Sequence, residues 1–404
     1  MHELYPYFTN DGSVGLYSPD VDDIYHSTYG ALTEAYEKFI IPSNLNEILK
    51  EKKEIKLLDI CFGIGYNTKS FLNEVIKFSY NDSIDSDNTN CNDKIDTYND
   101  NSKIYIHAID NDKNLSLLSP FFVTDKKNIK NNKLPFKQDK ISNMLSKECK
   151  QIYKLEKETR IIFLELLKEY LCDNNDIQNF ITNKKYSKYF AKDLVNYYRF
   201  SLKTRDIINP LLSSNAFLHN IYYKYISTSH KKAFKALNRL NIEFKLNNED
   251  AREAIKTDSN CYNLIFLDAF TPVKCPCLWT IDFFKELYNH LEEDGMILTY
   301  SNSAQVRNAF LNSGFFVGKI YSDNYKKYSG TIATKKEALI KTHLSEYDLG
   351  LIKTKAGIFY RDENLNLSNE AIIIAHNEEV ENSNLISSSK FIKQYKKEHP
   401  NEEV

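Results

Sequence analysis

Glycine is scarce in this 404-residue chain, at 11 positions, and tryptophan occurs once. So thin a supply gives weight to any glycine at a turn directly after a strand, where close approach to the backbone requires a missing side chain. No Cys-x-x-Cys pair exists among Cys61, Cys91, Cys149, Cys172, Cys261, Cys275 and Cys277. Neither a zinc ribbon nor a disulfide framework is therefore supported, and scattered thiols suit a reducing, cytoplasmic setting. An apolar leader and a long uninterrupted apolar run are both missing, so neither secretion nor a membrane crossing is expected. Excess charge of one sign is missing too: 53 Lys+Arg against 55 Asp+Glu leave a net −2. That excludes a strongly basic coat for nucleic acid but allows a local basic face.

Aromatic residues are abundant, with 28 Tyr and 24 Phe, and 42% of residues are hydrophobic. The length allows one large domain with insertions, or two to three domains. The informative stretch is Leu57 to Thr68, LLDICFGIGYNT. An apolar run ends on Asp59, passes Gly63 and Gly65, and opens into the helical pattern KSFLNEVIKF, which predicts strand, glycine turn and helix start. The glycines serve either a ligand approaching the backbone or the packing of the turn.

Before this stretch, residues 1–30 suggest short strands and loops, with Asp22, Asp23 and Tyr25 either turn residues or site groups. LTEAYEKFI predicts a helix burying Leu32, Tyr36 and Phe39, with Glu34 as a solvated position. Residues 81–103, rich in Asn, Asp and Ser, predict a loop. IYIHAID predicts a second strand ending on Asp110, where an acid can accept hydrogen bonds from both ribose hydroxyls of an adenosine. Residues 115–240 carry three helical patterns interleaving Tyr197, Tyr198, Arg199, Tyr222, Tyr223, Lys224, Tyr225, His230, Lys231 and Lys232. Such a mixture suits either an RNA-binding face or a helical bundle with a lysine-rich exterior.

Strand signals resume in IEFKL, then Asp250 precedes a helix, and NLIFLDAF ends on Asp268. TIDFFKELYNHLEEDG predicts a helix stopped at Gly295, and GMILTYS, FFVGKIY and SGTIATK complete the strands. Alternation of this kind predicts an α/β, open, mostly parallel Rossmann-like sheet, whose ligands sit at the carboxyl ends of its strands. Gly63, Gly65, Asp110, Asp250 and Asp268 all fall at such ends, and packing alone does not explain that convergence. The expected organisation is 1–114 for the N-terminal segment and first half of the domain, 115–240 for a helical insertion, 241–392 for the second half and tail, and 393–404 for a frayed end.

LDICFGIGYN, IHAID, EDAREA, NLIFLDAFTPVKCPCLW and SGTIATK resemble the S-adenosylmethionine-dependent methyltransferases of the tRNA wobble uridine. SPDVDDIYHSTYGALTEA and the tail from Ala356 to Phe391 are similar to the opening and ending of stand-alone relatives of the bifunctional 5-methylaminomethyl-2-thiouridine enzyme. The resemblance covers 1–75, 103–112 and 242–392. It implies an S-adenosyl-L-methionine-dependent methyltransferase fold with Gly63, Gly65 and Asn67 at the methionine part, Asp110 at the ribose, and Asp250 with Ala251 at the adenine. Tyr25 and Glu34 would close over the cofactor, and Asp268 with Phe270 would line the transfer pocket. Relatives often have Gly-Asp where this chain has Glu249-Asp250. The implied reaction methylates the primary amine of 5-aminomethyl(-2-thio)uridine in tRNA, without metal and without the oxidase half of the bifunctional enzyme.

A primary amine is largely protonated at neutral pH, so the site must favour its neutral form, accept a proton and hold the nitrogen near the methyl. Asp268 is the candidate for this, with Asp23 or Tyr25 behind it; an ordinary low aspartate pKa would make orientation its larger contribution. Two other readings stand beside this one. A polyamine aminopropyltransferase has a similar sheet and acidic strand ends, and a non-catalytic RNA-binding protein would use the fold without its cofactor glycines.

Overall fold

The computed structural model describes residues 4–19, 23–26, 28–85, 102–124, 127, 151–171, 174–199, 228–324 and 326–400. Strands β1 (Tyr5–Phe8), β2 (Val14–Ser18) and β3 (Asp23–Tyr25) form a small antiparallel sheet. A seven-stranded sheet follows, built from β4 (Glu54–Ile60), β5 (Lys103–Ile109), β6 (Asn241–Asn247), β7 (Tyr262–Leu267), β8 (Leu291–Thr299), β9 (Phe316–Ser322) and β10 (Lys327–Thr334). Its order is β6-β5-β4-β7-β8-β10-β9, and only β10 runs antiparallel to its neighbours. Strand order reverses between β4 and β7, which places the ligand crevice beyond their carboxyl ends.

The helices are α1 (Ala31–Ala35), extended by a π turn over Tyr36–Ile40, α2 (Leu45–Glu51), α3 (Tyr66–Asp85), α4 (Lys113–Leu118), α5 (Lys157–Leu167), α6 (Asn175–Thr182) and α7 (Thr228–Arg239). After β6 come α8 (Ala251–Thr257), α9 (Ile281–Asn289), α10 (Ala304–Asn312), α11 (Glu346–Ile352), α12 (Asn369–Asn382) and α13 (Ser388–Glu398). Inner parallel strands are buried on both faces, and every residue of β7 is buried. Alternation along β4 sends Leu57 into a core with Phe71, Val75 and Phe163, and Leu58 and Ile60 into a second core with Phe283, Phe284 and Phe310.

Four local differences from the sequence reading have physical causes. The helix expected to reach Gly295 stops at Asn289, and Leu291–Thr299 is strand. Tyr262 N–H donates to His290 O at 2.8 Å, so pairing with β7 captures the acidic segment that looked helical. Gly295 lies inside that strand; a Cβ there would approach Tyr262 O to 2.8 Å, where the register with β7 shifts. Helix α3 runs on to Asp85, five residues into the predicted loop, whose residues 86–101 lie outside the described ones.

In the insertion between β5 and β6, the described aromatics serve the bundle. Tyr198 is fully buried and donates to Leu171 O, Tyr197 donates to Glu165, and Lys231 and Lys232 face solvent. Tyr222, Tyr223, Lys224 and Tyr225 lie outside the described residues. The final difference is the tail, where residues 393–398 complete α13 and Tyr395 is buried against Tyr347 of α11. Among the described residues no helix is long and apolar enough to cross a membrane.

Candidate active site

The turn between β4 and α3 is stitched to the end of β5. Phe62 N–H donates to Ile109 O at 3.0 Å, and Gly63 N–H donates to Asp110 Oδ2 at 2.7 Å. Cys61, Gly63 and Gly65 all take positive φ, +62°, +55° and +67°. For Cys61 that conformation costs about 1–2 kcal/mol, strain of the kind that collects at functional sites. The two glycines differ in what surrounds them. A Cβ on Gly65 would lie 2.6 Å from the Phe62 ring and 2.7 Å from Ser119 Oγ, so Gly65 serves packing. A Cβ on Gly63 would meet nothing closer than Cys61 O at 3.8 Å, so this bare backbone faces open space.

That space is a cavity of about 650 Å³ at the carboxyl edge of the sheet, a volume suited to a cofactor or drug-sized ligand. Tyr25, Glu34, Gly63, Asp110, Asp250, Ala251, Asp268 and Phe270 all line it. Gly65 and Asn67 stand behind the wall, Asn67 donating from Nδ2 to Asp268 Oδ2 at 2.9 Å. Asp23 contributes backbone to β3 opposite Ser18; its side chain, like all of Asp22, lies outside the described residues.

Each acid is held differently. Asp110 accepts from Gly63 N–H and, through Oδ1, from Asp112 N–H at 2.8 Å, yet burial lifts it to about 6. Asp112 in turn caps α4 through the N–H groups of Asn114 and Leu115. Asp250 caps α8 by accepting from Arg252 N–H and is gripped by the Arg252 guanidinium at 2.7 Å. Burial works against its charge, and these hydrogen bonds outweigh it and hold Asp250 below the ordinary carboxylate value.

Asp268 differs from the low value anticipated for it. Burial and the nearby Glu34 raise it to about 7, against the opposing pull of Asn67 and Lys38. Glu34 was expected to be solvated as a helix residue. It is instead buried and paired with Lys38 Nζ at 2.5 Å. The Tyr25 and Phe270 rings pack together on the cavity wall with centroids 5.1 Å apart, and Trp279 Nε1 donates to Phe270 O at 2.8 Å.

Several residues at the site gave little sequence signal. Asp59, next to last in β4, is buried, with Oδ2 accepting from Thr68 at 2.6 Å and Oδ1 unpaired, and burial raises it to about 7. His26, at φ +68°, lines the cavity; burial lowers it to about 4, so it is neutral. Cys61, Cys275, Cys277, Tyr300 and the Leu367–Glu370 segment complete the wall. An acid inside an apolar strand was the available clue to Asp59; the thiols and the C-terminal segment come together only through the fold.

Residues 213–336 match the model of a family of S-adenosyl-L-methionine-dependent methyltransferases. The match spans 124 of the 404 residues. The methyltransferase fold is shared with the crystal structure of MnmC2 from Aquifex aeolicus, which aligns over 95% of this chain and 87% of that one, at 21% identity and a TM-score of 0.56. An uncharacterized protein of Methanocaldococcus jannaschii is 31% identical over 211 residues, covering 49% of this chain. The match spans 59% of the length of that curated relative.

The cavity fits S-adenosyl-L-methionine on its own geometry. Gly63 leaves the backbone open, and Asp110 keeps lone pairs free for hydroxyl donors after accepting two N–H groups. Glu34, Asp110, Glu249, Asp250, Asp268 and Glu370 line the cavity against Arg252, with His26 neutral, a balance that favours a cationic sulfonium ligand. Among the described residues, no group of three or more His, Cys, Asp or Glu could hold a metal ion.

Proposed function

We propose that this chain methylates the primary amine of 5-aminomethyl(-2-thio)uridine at the wobble position of tRNA, in the cytoplasm. The observation that carries the reading is Asp268. It is a carboxyl group at the end of β7, buried in an acid-lined cavity and raised to about 7. When bound, S-adenosyl-L-methionine supplies an electrophilic methyl group. Asp110 would take the ribose hydroxyls, with Gly63 and Asn67 near the methionine part and Asp250 with Ala251 at the adenine.

An alkylammonium substrate has no lone pair and must lose a proton before it attacks. Asp268, poised near neutrality, can take that proton, while its hydrogen bond from Asn67 fixes the direction in which Oδ1 presents itself. Tyr25 and Phe270 would shield the reacting nitrogen from water. The choice of RNA as methyl acceptor draws on the motifs resembling wobble-uridine methyltransferases.

Methyl transfer measured with undermethylated tRNA and, separately, with putrescine tests the reading. Transfer to tRNA alone is expected, and Asp268→Ala should abolish it while leaving cofactor binding intact. Transfer to the diamine alone, or near-normal turnover by Asp268→Ala, would overturn it.

A further inference from the structure

Cys275 and Cys277 flank Pro276 in the loop after β7, and both line the cavity. Their Sγ atoms lie 3.6 Å apart, in direct contact without a bond. We propose that this pair is a reversible oxidation site within the cofactor cavity, which hydrogen peroxide or another peroxide converts to a disulfide. The proposal rests on the cavity being the cofactor site.

The two thiols are not equivalent. The contact between the two sulfurs holds Cys277 below the ordinary thiol value, with Arg252 assisting against burial, whereas the same contact and burial push Cys275 up. Cys277 is therefore the nucleophile. Its thiolate attacks a peroxide oxygen, the O–O bond breaks, and hydroxide leaves to be protonated to water, giving a sulfenic acid on Cys277. Cys275 Sγ then attacks that sulfur, the S–O bond breaks, and a second water departs with the Cys275 proton. Two thiols and one hydrogen peroxide give one disulfide and two waters.

Forming the bond requires the sulfurs to close from 3.6 Å to about 2.05 Å. Cys277 is the fixed end: it is buried in the core with Leu278 and Trp279, and its N–H donates to Asn369 Oδ1. Cys275 closes a turn in which its N–H and that of Lys274 donate to Thr271 O, and Val273 at the tip is 71% exposed. Movement thus falls on Phe270–Cys275, the segment that carries one wall of the cavity and the Phe270 ring. Oxidation should lower cofactor affinity, and bound cofactor should by linkage oppose oxidation to the same degree.

The test uses the full-length reduced protein treated with hydrogen peroxide, with and without S-adenosyl-L-methionine. Intact mass should fall by about 2 Da, and peptide mapping should join Cys275 to Cys277. Calorimetry should show at least about tenfold weaker cofactor binding, restored by dithiothreitol. Saturating cofactor should slow the mass change. Cys275→Ser should show no loss of 2 Da and, measured against its own untreated form, no disulfide-linked fall in affinity. A Cys61–Cys275 link, oxidation without a disulfide, or a disulfide that leaves affinity unchanged would overturn the proposal. Failure of the reduced protein to bind cofactor would count against the cofactor reading instead, and the proposal would fall with it.

Discussion

Alanine at Gly63 and alanine at Gly65 should produce opposite phenotypes. Both residues sit at positive φ, so a Cβ at either costs about 1–2 kcal/mol of backbone strain. At Gly63 little is added, because the new methyl meets nothing nearer than 3.8 Å. At Gly65 the methyl would press on the Phe62 ring at 2.6 Å and Ser119 Oγ at 2.7 Å, adding an overpacking cost of about 1–3 kcal/mol. With unfolding entropy scaling by residue, 1 kcal/mol corresponds to a Tm change of about 1 °C in a chain of this size. Gly63→Ala should therefore lower Tm by about 1–2 °C, and Gly65→Ala by about 2–5 °C. Cofactor binding should reverse the ranking per degree lost. A methyl projecting from Gly63 keeps the ligand off the backbone, and losing one or two hydrogen bonds there weakens affinity by about 10- to 100-fold. Thermal denaturation and calorimetric titration of S-adenosyl-L-methionine read the two effects separately. Wild-type affinity in Gly63→Ala would refute the assignment of that glycine to the ligand.

Three further outcomes follow from the charges. Asp59, raised to about 7, contributes stability that is complete below about pH 4 and is lost as pH climbs through about 7, at up to about 1.4 kcal/mol per pH unit. Asp59→Asn should thus gain on wild type in Tm by a few degrees between pH 5 and 8, whereas a pH-independent difference would contradict the burial argument. Asp268→Asn should leave only residual turnover, and the kcat/KM profile of that remaining activity should lack the limb near pH 7 while keeping any limb from the substrate amine at higher pH; an unchanged profile assigns that limb elsewhere. Arg252 pairs with the fully buried Asp362 at 2.7 Å and donates to Leu367 O at 2.8 Å, so Arg252→Met should cost about 3–5 kcal/mol in urea denaturation. A loss under about 1 kcal/mol would show the pair to be dispensable.

Strand ends were the most legible part of this chain. A two-sided apolar run such as that before Asp268, or the glycine turn after Asp59, is a local signal, and parallel pairing turns successive ends into one edge. Long-range competition was not legible. Residues 290–295 carry an acidic, helix-favouring pattern, but only the neighbouring β7 edge decides that they pair as strand. Glu34 looks solvated until the fold buries it against Lys38 and near Asp268, and the Asp268 pKa depends on that proximity. Cys61 and Cys275 are more than two hundred positions apart, so their common cavity is a product of topology.

The most direct test of the central claim is nucleoside mass spectrometry of tRNA incubated with this protein and S-adenosyl-L-methionine carrying a deuterated methyl group. The account predicts the heavy methyl on the amine of the wobble 5-aminomethyluridine, and none with Asp268→Ala. Tight cofactor binding together with a heavy methyl absent from that nucleoside, or found on another base, would contradict it.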